Sequence, residues 1–99
     1  MTFSVEKDPN ADLDYAIDWS AWLGTDTITT SSWTLSDGKM SQHDGSIDAT
    51  GKITTVWLTG GTLSNALSIG TPIALVTNAI TTVAGRADER SIKITVVDR

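Results

Sequence analysis

Apolar and polar positions alternate with a period of two over three stretches of this 99-residue chain. That period marks a β-strand with one buried face. In Leu13-Asp14-Tyr15-Ala16-Ile17-Asp18-Trp19 the odd positions are bulky and the even ones are Asp, Ala and Asp. This segment is expected to anchor the core, with Leu13, Tyr15, Ile17 and Trp19 turned inward. Near the C-terminus, Ile92, Ile94 and Val96 alternate with Ser91, Lys93 and Thr95. Just upstream, Val76 and Ile80 share a face with Asn78, while Leu75, Thr77 and Ala79 point the other way. Residues 72–97 therefore read as two strands folded back through Val83-Ala84-Gly85-Arg86, a short Gly-containing hairpin loop. An inward Asn78 would be a hydrogen-bonded amide satisfying a neighbouring backbone group.

The rest of the chain supplies further strands. Phe3 and Val5 start one that stops at Asp8-Pro9-Asn10, where Pro9 fixes φ and offers no donor. Ser20 to Gly24 breaks the alternation as a bend or single helical turn. Thr27 to Leu35 is a Thr/Ser-rich strand in which Ile28 and Trp33 have opposite parity, so a bulge or a sheet edge is expected. Ser36-Asp37-Gly38 and Asp44-Gly45-Ser46 read as turns around a weak strand from Lys39 to His43. Ile53 to Leu58 is a strand ended by Gly60-Gly61, and Thr62 to Thr71 reads as a loop with one helical turn at Leu63 to Leu67. The 16 Thr and 10 Ser fit an all-β chain. About seven short antiparallel strands with evenly spaced turns predict a single immunoglobulin-like β-sandwich domain over residues 1–99.

Composition narrows the function classes. There is no Cys, which excludes a disulfide framework and thiolate metal sites. The net charge of −5 argues against nucleic acid as a partner, since a phosphate track needs basic density. The charge is uneven: residues 1–50 carry a net −7 and residues 51–99 a net +2. Such asymmetry suits two unlike faces and would allow head-to-tail contacts between copies. No stretch is apolar enough to span a membrane, and the first ten residues do not read as a secretory signal.

Candidate chemistry is sparse. Asp12, Asp14 and Asp18, with Asp8 and Asp26, invite calcium. The spacing lacks a calcium-loop pattern, and alternate acids on a strand simply face solvent. His43 beside Asp44 has no nucleophile elbow and no second His, so neither a catalytic triad nor a zinc site is expected. No catalytic residue, cofactor or metal is assigned. Among the four Trp, Trp19 and Trp57 are expected in the core. Trp22, after the pattern break, and Trp33, in a polar strand, are the candidates for contact with a partner or glycan. Arg86, Asp88, Glu89 and Arg90 crown the hairpin tip as a self-paired charge cluster or as an interface, because loop ends concentrate binding residues.

Three blocks also resemble a known family: Leu13-Asp14-Tyr15-x-x-Asp18-Trp19-Ser20-x-Trp22-Leu23; Val56-Trp57-Leu58-x-Gly60-Gly61-Thr62; and Asn78-x-Ile80-Thr81-Thr82-x-x-Gly85-Arg86-x-Asp88-Glu89-Arg90-Ser91. The chain is similar over nearly its whole length to small virion structural proteins of tailed bacteriophages, labelled fibre–tail adaptor or head/neck structural proteins. The 62–71 loop is longer than in that group, and Ala74 stands where an aromatic residue is expected. The resemblance implies an immunoglobulin-like, non-enzymatic virion protein made in the host cytoplasm and present in multiple copies. It would bind other virion proteins (portal or neck, tail, fibre or capsid) at the head–tail or tail–fibre junction, with neighbouring copies covering exposed edge strands. A capsid decoration protein and a carbohydrate-binding module using Trp22 or Trp33 are the alternatives.

Overall fold

The computed structural model describes residues 2–7, 10–36, 40–60 and 74–96. The loop expected at Thr62 to Thr71 lies outside them, as do parts of the turns at Asp8-Pro9-Asn10 and Ser36-Asp37-Gly38. Among the described residues, seven strands and one helical turn follow in order: β1 (Thr2–Lys7), β2 (Asp12–Asp18), α1 (Ser20–Leu23), β3 (Ile28–Leu35), β4 (Met40–Ile47), β5 (Ile53–Gly60), β6 (Ala74–Thr82) and β7 (Ala87–Val96). Six are antiparallel, three in each of two facing sheets, ordered β2-β5-β4 and β7-β6-β3. The seventh departs from the all-antiparallel expectation. β1 adds to the outer edge of β7 and runs parallel to it, Phe3 opposite Ile92 and Val5 opposite Ile94. The physical reason is connectivity: β2 lies in the other sheet, so β1 and β2 form no hairpin and no tight turn dictates direction.

The core lies between the sheets, and strand parity explains its membership. On β6, Ala74, Val76, Asn78, Ile80 and Thr82 are buried in alternation; on β5, Thr54, Val56 and Leu58 are fully buried. Ile17, Val56, Leu58, Val76, Ile80 and Ile94 are all 0–1% exposed, each contributing about 1.5–3 kcal/mol of transfer free energy before chain entropy. Trp19 is wholly buried as expected, but Trp57 is not: it is 37% exposed on the outer face of β5. The inward parity of that strand is already taken by Thr54, Val56 and Leu58, so Trp57 must face out. Leu13 has the parity of Ile17 yet is 43% exposed, because it opens β2 near one end of the strand.

The irregularity expected on β3 is present. The β3–β6 register shifts between Ile28 and Thr30, and β3 is a sheet edge. Asp44-Gly45 is a bulge rather than a turn: β4 runs on through Ile47, the register shifts between His43 and Ser46, and Asp44 takes φ 52°. The β4 bulge interrupts the ladder that another chain would otherwise extend along that edge, whereas β3 pairs regularly from Thr30 to Leu35. The β6–β7 hairpin has the expected loop over 83–86. Gly85 sits at φ 85°, and Thr82 N–H donates to the Arg86 carbonyl across it at 2.9 Å. A non-glycine residue at that φ would be strained.

Candidate partner-binding surface

One polar network ties the hairpin to the opposite sheet. Trp19 Nε1 and the Thr54 hydroxyl both donate to Asn78 Oδ1, at 3.0 and 2.7 Å, and Asn78 Nδ2 donates to Ser31 Oγ and the Ser32 carbonyl at 2.8 and 3.0 Å. The amide thus makes four hydrogen bonds, the full set its carbonyl and NH2 offer. The expected buried, backbone-satisfying Asn78 is present, and it also joins the two sheets.

The hairpin tip is built onto α1. The Arg86 guanidinium lies 4.3 Å above the Trp22 ring and donates to the carbonyls of Trp22 and Leu23 and to Asp26 Oδ2. Those carbonyls belong to the end of a four-residue helix, where backbone acceptors lack intrahelical donors. Arg90 covers the Trp19 ring at 4.2 Å and donates to the Asp18 carbonyl. Trp22 in turn meets Trp19 edge-on at 5.6 Å. Arginine suits both places because its planar fork stacks on an aromatic face while its edge N–H groups still donate.

Asp26 closes the network. Its carboxyl is held far below the usual range, at about 2, chiefly by the Thr82 hydroxyl, then by the amides of Ala84 and Thr27 and by Arg86. Its side chain is only 8% exposed. Asp48 does the same for the β4–β5 connection, held at about 2 mainly by the Thr50 hydroxyl and the amides of Lys52 and Ile53.

The sequence-nominated residues therefore occupy unlike positions. Trp22, Arg86 and Arg90 come together at α1, with Trp22 half-buried and the Arg86 side chain 42% exposed. Trp33 is elsewhere, on β3, and is 7% exposed rather than at the surface. Its parity joins it to Ser31 and Leu35 on the inner face of the sheet. Asp88 and Glu89 project from the start of β7. There they border a shallow groove of about 350 Å³ on the outer face of the larger sheet, floored by Thr30, Ser32, Ala79 and Thr81. Apart from Asp88, Glu89, Lys93 and the partly exposed Leu75, the described residues of this face present small hydroxyl and methyl groups.

The opposite outer face is acidic, as the charge asymmetry anticipates. Asp12, Asp14 and Asp18 line the exposed side of β2, next to Trp57. His43 spans this face: Nε2 meets Asp12 at 2.8 Å, Nδ1 meets Asp44 at 2.7 Å, and the ring stacks on Trp57 at 6.0 Å. Hydrogen bonds to Asp12 and then Asp44 raise its pKa. Among the described residues no group of three or more acidic, His or Cys side chains is placed to hold a metal ion.

Two features escaped sequence reasoning. Lys7 is 1% exposed, and its amine donates to the Gly60 carbonyl at 2.8 Å, stitching β1 to the other sheet. The inward turn of Arg86 and Arg90 has no local signal either, because the indoles they cover lie far away in the chain.

A family model described as podophage GP4 fiber-tail adaptor protein gp77 matches residues 7–95. The chain belongs to that family. It is a virion structural protein, a fiber-tail adaptor of the podophage tail without enzymatic activity. The adaptor matches none of the curated proteins. Of the two junctions the sequence suggested, the family describes the one between tail and fibre, and binding of tail and fibre proteins follows from that role.

Proposed function

We propose that the adaptor is an immunoglobulin-like module, present in several copies per particle, that holds tail and fibre together through the hairpin tip and the groove beside it. The strand orders β2-β5-β4 and β7-β6-β3 support the immunoglobulin-like reading, since they correspond to the two sheets of a seven-stranded domain with its first strand moved across. The Trp19–Asn78 hydrogen bond spans the sheets between the end of β2 and β6, where antibody domains place their inter-sheet disulfide.

The observation that carries the site is the division of labour at the tip. Arg86 and Arg90 are turned onto Trp22 and Trp19, which leaves Asp88 and Glu89 as the outward charges at the mouth of the groove. Trp22, Arg86 and Arg90 position that edge and show their exposed rims beside it, while Trp33 supports β3 from below. The groove floor of Thr, Ser and Ala costs little side-chain entropy on docking. The acidic face of β2 against the nearly neutral outer face of the larger sheet would let copies meet head to tail. Nucleic acid and membrane have no place in this reading.

Asp88→Lys with Glu89→Lys tests it, because neither side chain supports the core. Binding to the purified tail and fibre proteins, read by biolayer interferometry, is expected to weaken at least tenfold for one partner with the melting temperature unchanged. Unaltered binding to both partners would refute the assignment of the tip. Quantitative mass spectrometry of virions gives the copy number.

A further inference from the structure

The free edge of β3 carries a second feature, a cleft that shares Ser32 with the floor of the groove. β3 ends the larger sheet and β4 ends the smaller one, so two edge strands lie side by side without a ladder between them. A cleft of about 520 Å³ separates them, lined by Ser31, Trp33, Gln42, Gly45, Ser46 and Ile47 among others. One end is closed where Gln42 Nε2 donates to the Trp33 carbonyl at 2.6 Å. That side chain occupies a backbone acceptor on the free side of β3, as an added strand would.

Trp33 is the second observation. It is 93% buried, by the 7% exposure that remains, yet its Nε1–H has no acceptor among the described residues. Buried indole N–H groups ordinarily find one. The wall in front of it is the β4 bulge. A Cβ placed on Gly45 would lie 3.6 Å from Trp33 Cδ1 and 3.9 Å from Nε1, ordinary contact distances. The bulge therefore leaves a space one methyl group deep before an unpaired donor, because the residue there has no side chain.

We propose that an extended, uncharged segment of a virion partner docks in this cleft as an added strand on β3. It displaces Gln42 from the Trp33 carbonyl and supplies a backbone carbonyl to Trp33 Nε1. Strand addition recruits the free backbone groups of an edge and fits alternate side chains into pockets. The segment is uncharged because the cleft lining carries no charged side chain among the described residues. A second copy of the adaptor fits less well: pairing β3 with β3 would bring the two β4 edges, each with an exposed Asp44, against one another. This inference rests on the adaptor reading, since it needs a virion partner, but it concerns a different surface from the hairpin tip.

The test uses the full-length adaptor with the purified fibre protein and the purified tail protein in turn. Amide exchange over Ser31 to Leu35 and the Trp33 indole resonance are followed with and without each partner. One partner is expected to protect the β3 amides and shift the indole proton. Gly45→Ala fills the space before the indole at ordinary contact distance, so it should keep the wild-type melting temperature and bind that partner at least tenfold more weakly. Trp33→Phe removes the donor and should weaken binding without changing the partner's choice of strand. Binding that leaves β3 unprotected, or Gly45→Ala binding as wild type, overturns strand addition while the adaptor reading stands. Protection of β3 in the adaptor alone, with a dimer in sedimentation, assigns the cleft to a second copy and also overturns it. If neither protein binds the wild type, the adaptor reading and this one fall together.

Discussion

Replacing Asn78 by alanine removes one amide and four hydrogen bonds, and the structure allows its cost to be worked out. Trp19 is 0% exposed and its Nε1–H has Asn78 Oδ1 as acceptor, so the variant buries an unsatisfied donor at about 1–3 kcal/mol. Thr54 is also 0% exposed, but a hydroxyl can rotate toward another acceptor, and about 1 kcal/mol is a fair charge. Ser31 is half-exposed and recovers a partner from solvent. The total is about 3 kcal/mol, a large share of the roughly 5–15 kcal/mol that stabilises a domain of this size. At about 4–8 °C per kcal/mol, the melting temperature should fall by about 12–24 °C. Thermal unfolding followed by circular dichroism measures it. Asn78→Leu separates volume from polarity: it refills the space but leaves Trp19 orphaned, so it should remain nearly as unstable as Asn78→Ala. In a double-mutant cycle, Trp19→Phe with Asn78→Ala should show coupling of about 1 kcal/mol or more. An Asn78→Ala variant melting within about 4 °C of wild type would refute the claim that this amide clamps the two sheets.

Other consequences are as direct. Arg86→Lys keeps the charge but loses the planar fork over Trp22, so stability should drop by about 1 kcal/mol, with a red-shifted tryptophan emission from a more exposed ring; an unchanged spectrum and melting curve would contradict the stacking role. The Asp26 and Asp48 carboxyls are held at about 2 in the folded chain, below an unfolded value of about 3.9. Their stabilisation is therefore complete above about pH 4 and is lost as pH falls toward 2. Urea midpoints should show that acid slope, and Asp26→Asn with Asp48→Asn should flatten it. His43 has the opposite sign: its folded pKa is raised, so its contribution is full below about pH 6.5 and is lost as pH rises through the folded value. Imidazole NMR titration should give a midpoint above 6.5, and His43→Gln should remove the accompanying stability change.

The alternation of β2, β6 and β7 and the Gly85 loop were legible in the sequence, because period-two patterning and φ > 0 are local properties. Asn78 was legible for the same reason: an amide on the inward parity of an apolar strand has to be hydrogen-bonded. The family signature was legible too, through three blocks that hold the Trp19, Trp22, Arg86 and Arg90 cluster together. The burial of Trp57 and Leu13 was misjudged because parity sorts residues into two faces without saying which face is covered, or how far along the strand the cover extends. Trp33 was nominated for the surface from its polar neighbours, but its own parity carried it inside. The direction of β1, the burial of Lys7 against Gly60, and the turning of two arginines onto indoles were decided by tertiary structure alone. Each joins residues more than fifty positions apart, and at that separation composition and spacing hold no information about which groups meet. What the chain determined by itself was a set of strands and their inward sides. The way the two sheets close over one another decided which charges were spent inside and which remain to meet a partner.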